Sequence, residues 1–176
     1  MEIRVLKILM LFLFPGLVAV APAVHIINRY SPPQTDPLLI KKLEVPASAG
    51  WVDTGIAVKE GETYEFKASG TISCQKGNPA ANCGPDGLDL QTVQQPLTDH
   101  NLGAVVGKVV KVIGVRKDEE TGEEIKDEVE KVFYIGGQAV VEMPMEGQLY
   151  LGVNDNVYAD NDGQFLVSIF KKEGSK

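Results

Sequence analysis

Residues 147–169, GQLYLGVNDNVYADNDGQFLVSI, decide the fold class of this chain. The apolar runs LYLGV and QFLVSI flank a polar segment that is rich in Asn, Asp and Gly. Short runs of β-branched and aromatic residues, separated by turn-forming residues, are typical of β-strands joined by a loop. The stretch therefore predicts two strands with a polar loop between them, at one end of a β-sandwich.

Upstream of this stretch, strand signals recur at short intervals from Trp51 onward, with Gly-rich turns between them. The run TYEFKA at residues 63–68 alternates apolar and polar side chains, which indicates a strand with one buried face. Strands at this spacing are typical of a sandwich. We therefore expect one all-β domain, with further strands at residues 38–45, 52–58, 104–112, 132–135 and 139–143.

The composition argues against two broad classes of function. The chain has 176 residues and a formal net charge of −7. An acidic protein repels phosphate backbones, so we expect no nucleic-acid partner. The sequence has two histidines and neither a G-x-S-x-G nor an H-E-x-x-H motif. We therefore expect a protein that is not an enzyme.

The N-terminus has the features of an export signal. Arg4 and Lys7 precede a long apolar run, and small residues of the A-x-A type follow at 21–23. Residues 1–23 are predicted to be a signal peptide. An uncleaved anchor is the alternative, because the apolar stretch extends to Ile27 and about 20 residues span a bilayer. In both cases the rest of the chain is exported, to the periplasm or the exterior, and the mature form has no membrane span unless the signal stays uncleaved.

The remaining chain divides into a tether and a domain. Residues 24–50 are predicted to contain a Pro-rich tether and a first strand, and residues 51–172 to form the sandwich. Within it, residues 114–130 are mostly charged. They are predicted to be a long solvent-exposed hairpin with its tip at residues 120–123, and a partner-binding acidic finger is the alternative.

The two cysteines, Cys74 and Cys83, lie nine positions apart with the turn-rich sequence QKGNPAAN between them. This spacing differs from the C-x-x-C of redox and zinc motifs. A disulfide that closes the loop is expected in an oxidising compartment. Two free buried thiols remain the alternative.

The densest polar cluster is NDNVYADNDG at residues 154–163. It offers three carboxylates, three side-chain amides and main-chain carbonyls from one loop. Hard oxygen ligands of this kind are those that Ca²⁺ prefers. The spacing does not match an EF-hand, and an ordinary Asx-rich turn remains the alternative.

Four segments in the same order resemble the calcium-dependent galactose-binding lectins of the PA-IL type. Residues 147–169 resemble the C-terminal signature of that family, and TGIAVKEGETYEFKASGTISC at residues 54–74 resembles its first long hairpin. GPDG at residues 84–87 matches the family's G-P-x-G, and GAVVGKV at residues 103–109 matches its G-A-L-x-x-K-I strand. The resemblance covers residues 51–169, with the charged hairpin as an insertion.

This resemblance implies a jelly-roll-like sandwich with one Ca²⁺ at its end. Asp155 matches the family's Asp ligand, while Asp160 and Asn161 fall on its consecutive pair of Asn ligands. Cys74 falls on an aromatic residue that donates its main-chain carbonyl, and Val157 is expected to supply a second carbonyl.

In the family, two ring hydroxyls of the sugar bind the metal. The Asp and the first residue of the pair accept some of the hydrogen bonds that these hydroxyls donate. The loop at residues 88–102, LDLQTVQQPLTDHNL, departs from the family's His-Pro…Gln pattern at the sugar site. A lone histidine such as His100 is also compatible with surface or loop packing. The candidate ligand-binding residues are Asp155, Asn156, Asp160, Gln94, Gln95 and His100.

The predicted function is a calcium-dependent carbohydrate-binding, lectin-like domain that recognises vicinal sugar hydroxyls through bound Ca²⁺. Galactosides or other glycans are the expected ligands, and assembly into a homo-oligomer is left open. The alternative is an envelope structural or protein-interaction sandwich with a purely structural metal or none.

Overall fold

The structure is a computed structural model that describes residues 38–172. The chain divides into two units, residues 1–34 and residues 35–176. The predicted signal peptide and the tether up to residue 37 lie outside the described residues. Within residues 38–172, no helix has the length and apolar character that a membrane crossing requires.

The described chain consists of nine strands and one short 3₁₀ turn at Pro79–Ala81. The strands are β1 (Leu38–Pro46), β2 (Trp51–Val58), β3 (Thr63–Ser73), β4 (Asn82–Cys83), β5 (Val105–Lys117), β6 (Glu124–Tyr134), β7 (Gln138–Glu142), β8 (Gly147–Val153) and β9 (Asp162–Lys171). The predicted all-β class is confirmed.

The strands form two antiparallel sheets. The first has the order β1-β9-β3-β4, with β7 also paired to β3, and the second has the order β2-β8-β5-β6. Their facing sides bury one continuous apolar core, so the predicted β-sandwich is confirmed. Burying a large apolar side chain contributes about 1.5–3 kcal/mol relative to exposure. The fully buried core side chains include Tyr64, Phe66, Phe165, Val167 and Ile169 from the first sheet and Val105, Val109, Leu149 and Leu151 from the second.

The charged segment belongs to a hairpin that is longer than the segment itself. β8 pairs with β5 only over residues 105–110. Beyond that point β5 and β6 pair with each other alone, as a two-stranded ribbon. At its tip the Asp118 carboxylate accepts hydrogen bonds from the backbone N–H groups of Glu120 and Thr121. The strand predicted at residues 132–135 is thus the end of a much longer strand.

The polar cluster of residues 154–163 lies at one end of the sandwich, where the chain passes from one sheet to the other. β8 ends at Val153, which pairs with Val105 at the start of β5. β9 begins at Asp162, which pairs with Ser73 at the end of β3. Since β8 and β9 belong to different sheets, the loop of residues 154–161 must cross from one sheet to the other.

Cys74 and Cys83 are buried at this same end and are free thiols in the structure. This arrangement is the alternative that the sequence left open, rather than the disulfide. The two sulfurs are nevertheless neighbours, because a Cβ at Gly103 would lie 2.5 Å from that of Cys74 and 2.9 Å from that of Cys83. Disulfide formation in an oxidising compartment therefore stays a prediction.

We expect mature protein that has been exported into an oxidising compartment to contain the Cys74–Cys83 disulfide. Closing a loop of about 10 residues stabilises a fold by roughly 2–3 kcal/mol in the chain-entropy model. Thiol titration of the unfolded protein without reductant should find no free thiol, and the reduced control should find both. Two reactive thiols in the unreduced sample would show that the bond does not form.

We also expect that Gly103→Ala destabilises the domain more than Gly77→Ala. The two glycines have nearly the same φ, +81° and +83°, so both variants incur the left-handed cost of about 1–2 kcal/mol. A Cβ at Gly103 would lie 2.5 Å from the Cys74 sulfur and 2.9 Å from the Cys83 sulfur, whereas nothing lies within 4 Å at Gly77. Overpacking should add about 1–3 kcal/mol at Gly103. Urea unfolding measures the difference, and equal losses would contradict this packing.

Candidate functional site

The loop between β8 and β9 folds around the buried carboxylate of Asp155. Asp155 Oδ1 accepts the backbone N–H of Val157 at 2.9 Å, and Oδ2 accepts Asn161 Nδ2 at 3.0 Å. Asn161 Nδ2 also donates to the carbonyl of Ala47 at 3.3 Å. Both side chains of the pair are 6 % exposed. The sequence-predicted Asp155 and Asn161 are therefore direct neighbours.

The other amide atom of Asn161, Oδ1, is buried without a partner. It is the single buried side-chain nitrogen or oxygen in residues 38–172 that makes no hydrogen bond. An unsatisfied buried acceptor costs about 1–3 kcal/mol, so native structures rarely leave one without a reason. This oxygen can therefore still accept a hydrogen bond from a donor or bind a cation.

A pocket of about 250 Å³ opens beside this loop. Its volume lies near the lower end for small-molecule sites, which suits a ligand smaller than a typical drug molecule. The β8–β9 loop forms one wall, the loop at residues 88–102 forms the opposite wall, and Cys74 also contributes. The lining residues are Asp155, Asn156, Val157, Asp160, Thr92, Gln94, Leu102 and Cys74.

Two of the predicted ligand-binding residues lie elsewhere. Gln95 is 5 % exposed, and its Nε2 donates to the carbonyls of Leu97, at 2.8 Å, and His100. His100 stacks on Tyr134, with 4.5 Å between ring centroids, and its Nδ1 lies 2.8 Å from Asp99. Their polar atoms are thus engaged within and beside the loop. The structure gives both residues a packing role, which the sequence had left open for His100.

The predicted metal ligands fit a hard cation. They comprise the carboxylates of Asp155 and Asp160, the amide oxygen of Asn161 and the main-chain carbonyls of Cys74 and Val157. Within residues 38–172, no cluster of three or more His, Cys, Asp or Glu side chains is arranged to hold a metal. A site here would instead combine two carboxylates with neutral oxygens, which is common for Ca²⁺. The unpartnered Asn161 Oδ1 beside the Asp155 carboxylate is the observation that supports this fit.

The ionisable groups around the pocket experience a negative environment. The pKa of the Cys74 thiol is raised by its hydrogen bond to Cys83, by burial, and by the charges of Asp155 and Asp160. Burial and the charge of Asp155 raise the pKa of Tyr158. Lys76 lies 3.9 Å from Asp162, and both side chains are well exposed. A cation entering the pocket would therefore meet a favourable potential.

Sequence reasoning missed two polar residues of this site, Asn154 and Thr92, and the apolar Leu102 that lines the pocket with Thr92. Thr92 lines the pocket beside Gln94. Asn154 is fully buried and bonds to the backbone of the 88–102 loop. A usable signal was present, because Asn154 directly follows the apolar run LYLGV and so continues a buried strand.

Comparisons with known proteins support the fold. No protein-family model matches this chain, and no curated protein matches it. A solved structure, the N-terminal domain of EclA, described as a PllA-like lectin, matches with a TM-score of 0.53. The match has 22 % sequence identity and covers 76 % of this chain and 98 % of that chain. This chain therefore has the β-sandwich fold of that lectin domain.

Proposed function

We propose that this domain binds glycans through a Ca²⁺ ion held by the β8–β9 loop. The observation that carries the proposal is the buried, unpartnered oxygen of Asn161, whose amide nitrogen is bonded to the Asp155 carboxylate. Asp155 itself lines the pocket together with a second carboxylate, Asp160. The lectin fold and the resemblance to the PA-IL type support the same function.

Asp155, Asp160 and Asn161 would hold the ion with the main-chain carbonyls of Cys74 and Val157. The bound ion would supply a charged partner for sugar hydroxyls. A neutral hydrogen bond contributes only about 1 kcal/mol net, because water already satisfies a free sugar. The carboxylates of Asp155 and Asp160 would accept hydrogen bonds from the vicinal hydroxyls and so select their geometry. Hydrogen bonds to charged groups contribute about 1.5–3 kcal/mol, so a site with carboxylates binds hydroxyls more strongly than a neutral one.

Thr92 and Gln94 on the opposite wall would determine which sugar fits. Both offer hydrogen-bonding groups to the same pocket that Asp155 and Asn156 line. Galactosides are one expected ligand class. Because the 88–102 loop lacks the family's His-Pro…Gln pattern, we expect galactose binding that is weaker or altered.

We further propose that the protein is an exported binding protein without catalytic activity. The groups that line the pocket are two carboxylates, amides, one hydroxyl and one thiol, with no histidine among the described lining residues. A loop crowded with acids is better suited to cation binding than to acid–base chemistry. Export follows from the N-terminal segment, and N-terminal sequencing of the mature chain tests it.

A protein-interaction module is the second candidate function. The β5–β6 ribbon favours it, because its apolar side chains Val112, Ile113, Val115 and Val129 are each at least 40 % exposed. In this alternative the loop is held by its own bonds to the Asp155 carboxylate, and any metal only stiffens it.

We expect Ca²⁺ to raise the melting temperature of the mature domain by several degrees relative to chelator. A ligand at 100 times its Kd adds about 2.7 kcal/mol of stability. Asp155→Asn should remove most of the shift, because it replaces a charged carboxylate ligand with a neutral amide oxygen that binds Ca²⁺ more weakly. Asp162→Asn removes an equal charge from the start of β9, where the side chain is 60 % exposed, and should keep the shift. Identical melting curves for the wild type in both conditions would refute the calcium site.

We expect the calcium-loaded domain to bind glycans with vicinal hydroxyls on a glycan array and to lose this binding in chelator. Asp155→Asn should behave like the chelated protein, and Asp162→Asn like the wild type. Binding that survives chelation would contradict the cation-dependent mechanism. A folded, calcium-loaded protein that binds no glycan would favour the interaction module.

A further inference from the structure

The side chain of Asn154 connects the two walls of the pocket. It is fully buried, and it makes four hydrogen bonds to backbone groups of the 88–102 loop. Oδ1 accepts the N–H of Leu97 at 2.9 Å. Nδ2 donates to the carbonyls of Leu97 at 2.9 Å, Asn101 at 3.1 Å and His100 at 3.4 Å.

The backbone of Asn154 is fixed as firmly as its side chain. Its N–H donates to the Ala104 carbonyl at 2.8 Å, and its carbonyl accepts the Gly103 N–H at 3.0 Å. These bonds continue the pairing of β8 with β5 by one residue. Asp155 follows directly in the chain, and its N–H donates to the Val153 carbonyl at 2.8 Å, so the two residues share one hydrogen-bonded segment.

Gln95 extends the connection to the pocket surface. Its Nε2 donates to two of the carbonyls that Asn154 also holds, those of Leu97 and His100. Its Oε1 accepts both the N–H and the hydroxyl of Thr92 at 3.3 Å. A continuous hydrogen-bonded chain thus leads from the residue before Asp155 to the opposite pocket wall.

Asn154 and Gln95 hold the central part of the 88–102 loop, whereas backbone bonds from Leu88 to Leu102 and from Leu102 to Leu90 close its base. Gln95 is its single buried residue, whereas Leu90 is 50 % exposed and Val93 is 90 % exposed. A loop with little apolar burial opens readily unless its polar groups are held in place. Asn154 and Gln95 both donate hydrogen bonds to the carbonyls of Leu97 and His100 and so hold these groups in place.

We propose that Asn154 and Gln95 form a positioning relay through which cation binding in the β8–β9 loop orders the pocket wall that carries Thr92 and Gln94. This inference rests on the proposed function and adds its regulation. The cation stiffens the loop around Asp155, Asn154 transmits this order to residues 97–101, and Gln95 transmits it to Thr92. By linkage, a sugar that orders the wall strengthens cation binding by the same factor. Neither relay residue touches the sugar.

Hydrogen exchange of the full mature domain, with Ca²⁺ alone as the probe, tests the relay. Calorimetry first establishes the saturating concentration for each variant. In the wild type, calcium should slow exchange across residues 92–102 by about tenfold or more, the factor that corresponds to one or two net hydrogen bonds. In saturated Asn154→Ala, calcium should protect the β8–β9 loop but leave residues 92–102 unchanged.

Gln95→Ala separates the two steps of the relay. Calcium should still protect residues 97–101 in this variant, which Asn154 holds, but no longer Thr92 and Gln94. Asp99→Ala is the matched control, since Asp99 lies in the same loop and its well-exposed side chain contacts only the His100 ring. It should keep the full wild-type response.

Asn154→Asp provides a second variant of equal size if Asn154→Ala folds poorly. It keeps an acceptor for the Leu97 N–H but loses all three donated bonds. Calcium should therefore also fail to protect residues 92–102 in this variant. A wild-type response in both Asn154 variants would overturn the relay. Loss of calcium binding in both would overturn it as well, because Asn154 would then belong to the cation site. A wild type that binds no calcium refutes the proposed function itself, whereas one that binds calcium without protecting the wall refutes the relay alone.

Discussion

The constraint that shapes this molecule is the crossing of residues 154–161 between the two sheets. β8 and β9 are consecutive in sequence but lie in different sheets, so their loop must cover the end of the apolar core. Backbone and side-chain polar groups of the loop are then buried, and each of them requires a hydrogen-bond partner. Three polar side chains, Asn154, Asp155 and Asn161, satisfy most of this demand. The remaining oxygen of Asn161 is the exception, and the proposed cation site rests on it.

The end of the sandwich thus differs in kind from its middle. Between the sheets, apolar side chains such as Phe66 and Phe165 pack without regard to direction. At the end, amides and carboxylates are held by directional hydrogen bonds. A rigid apolar scaffold that supports a small polar constellation is the usual arrangement for recognising a hydroxyl-rich ligand. The neighbouring thiols and Gly103 fill the boundary between the two regions, where space for even a Cβ is lacking.

The sequence predicts the parts of this structure that depend on local pattern. The alternation at residues 63–68 and the apolar runs around the polar cluster suffice for the strands and the fold class, and the clustered oxygens suffice to place Asp155 and Asn161 together. The 88–102 loop could not be predicted in this way. Its conformation depends on bonds from Asn154, 57 positions from Leu97 in sequence, and no local signal in LDLQTVQQPLTDHNL indicates that partner. Gln95 therefore looked like a ligand, although it braces the loop.

The ribbon formed by β5 and β6 leaves the second sheet at the end opposite the crossing loop. Its tip is exposed, highly charged and bonded only within its own turn. An insertion into the chain there should cost only loop-closure entropy, about 0.6 kcal/mol for each doubling of loop length. A reporter, an affinity tag or a surface linker inserted at residues 119–122 would therefore hold the protein by one pole, with its pocket facing the solution.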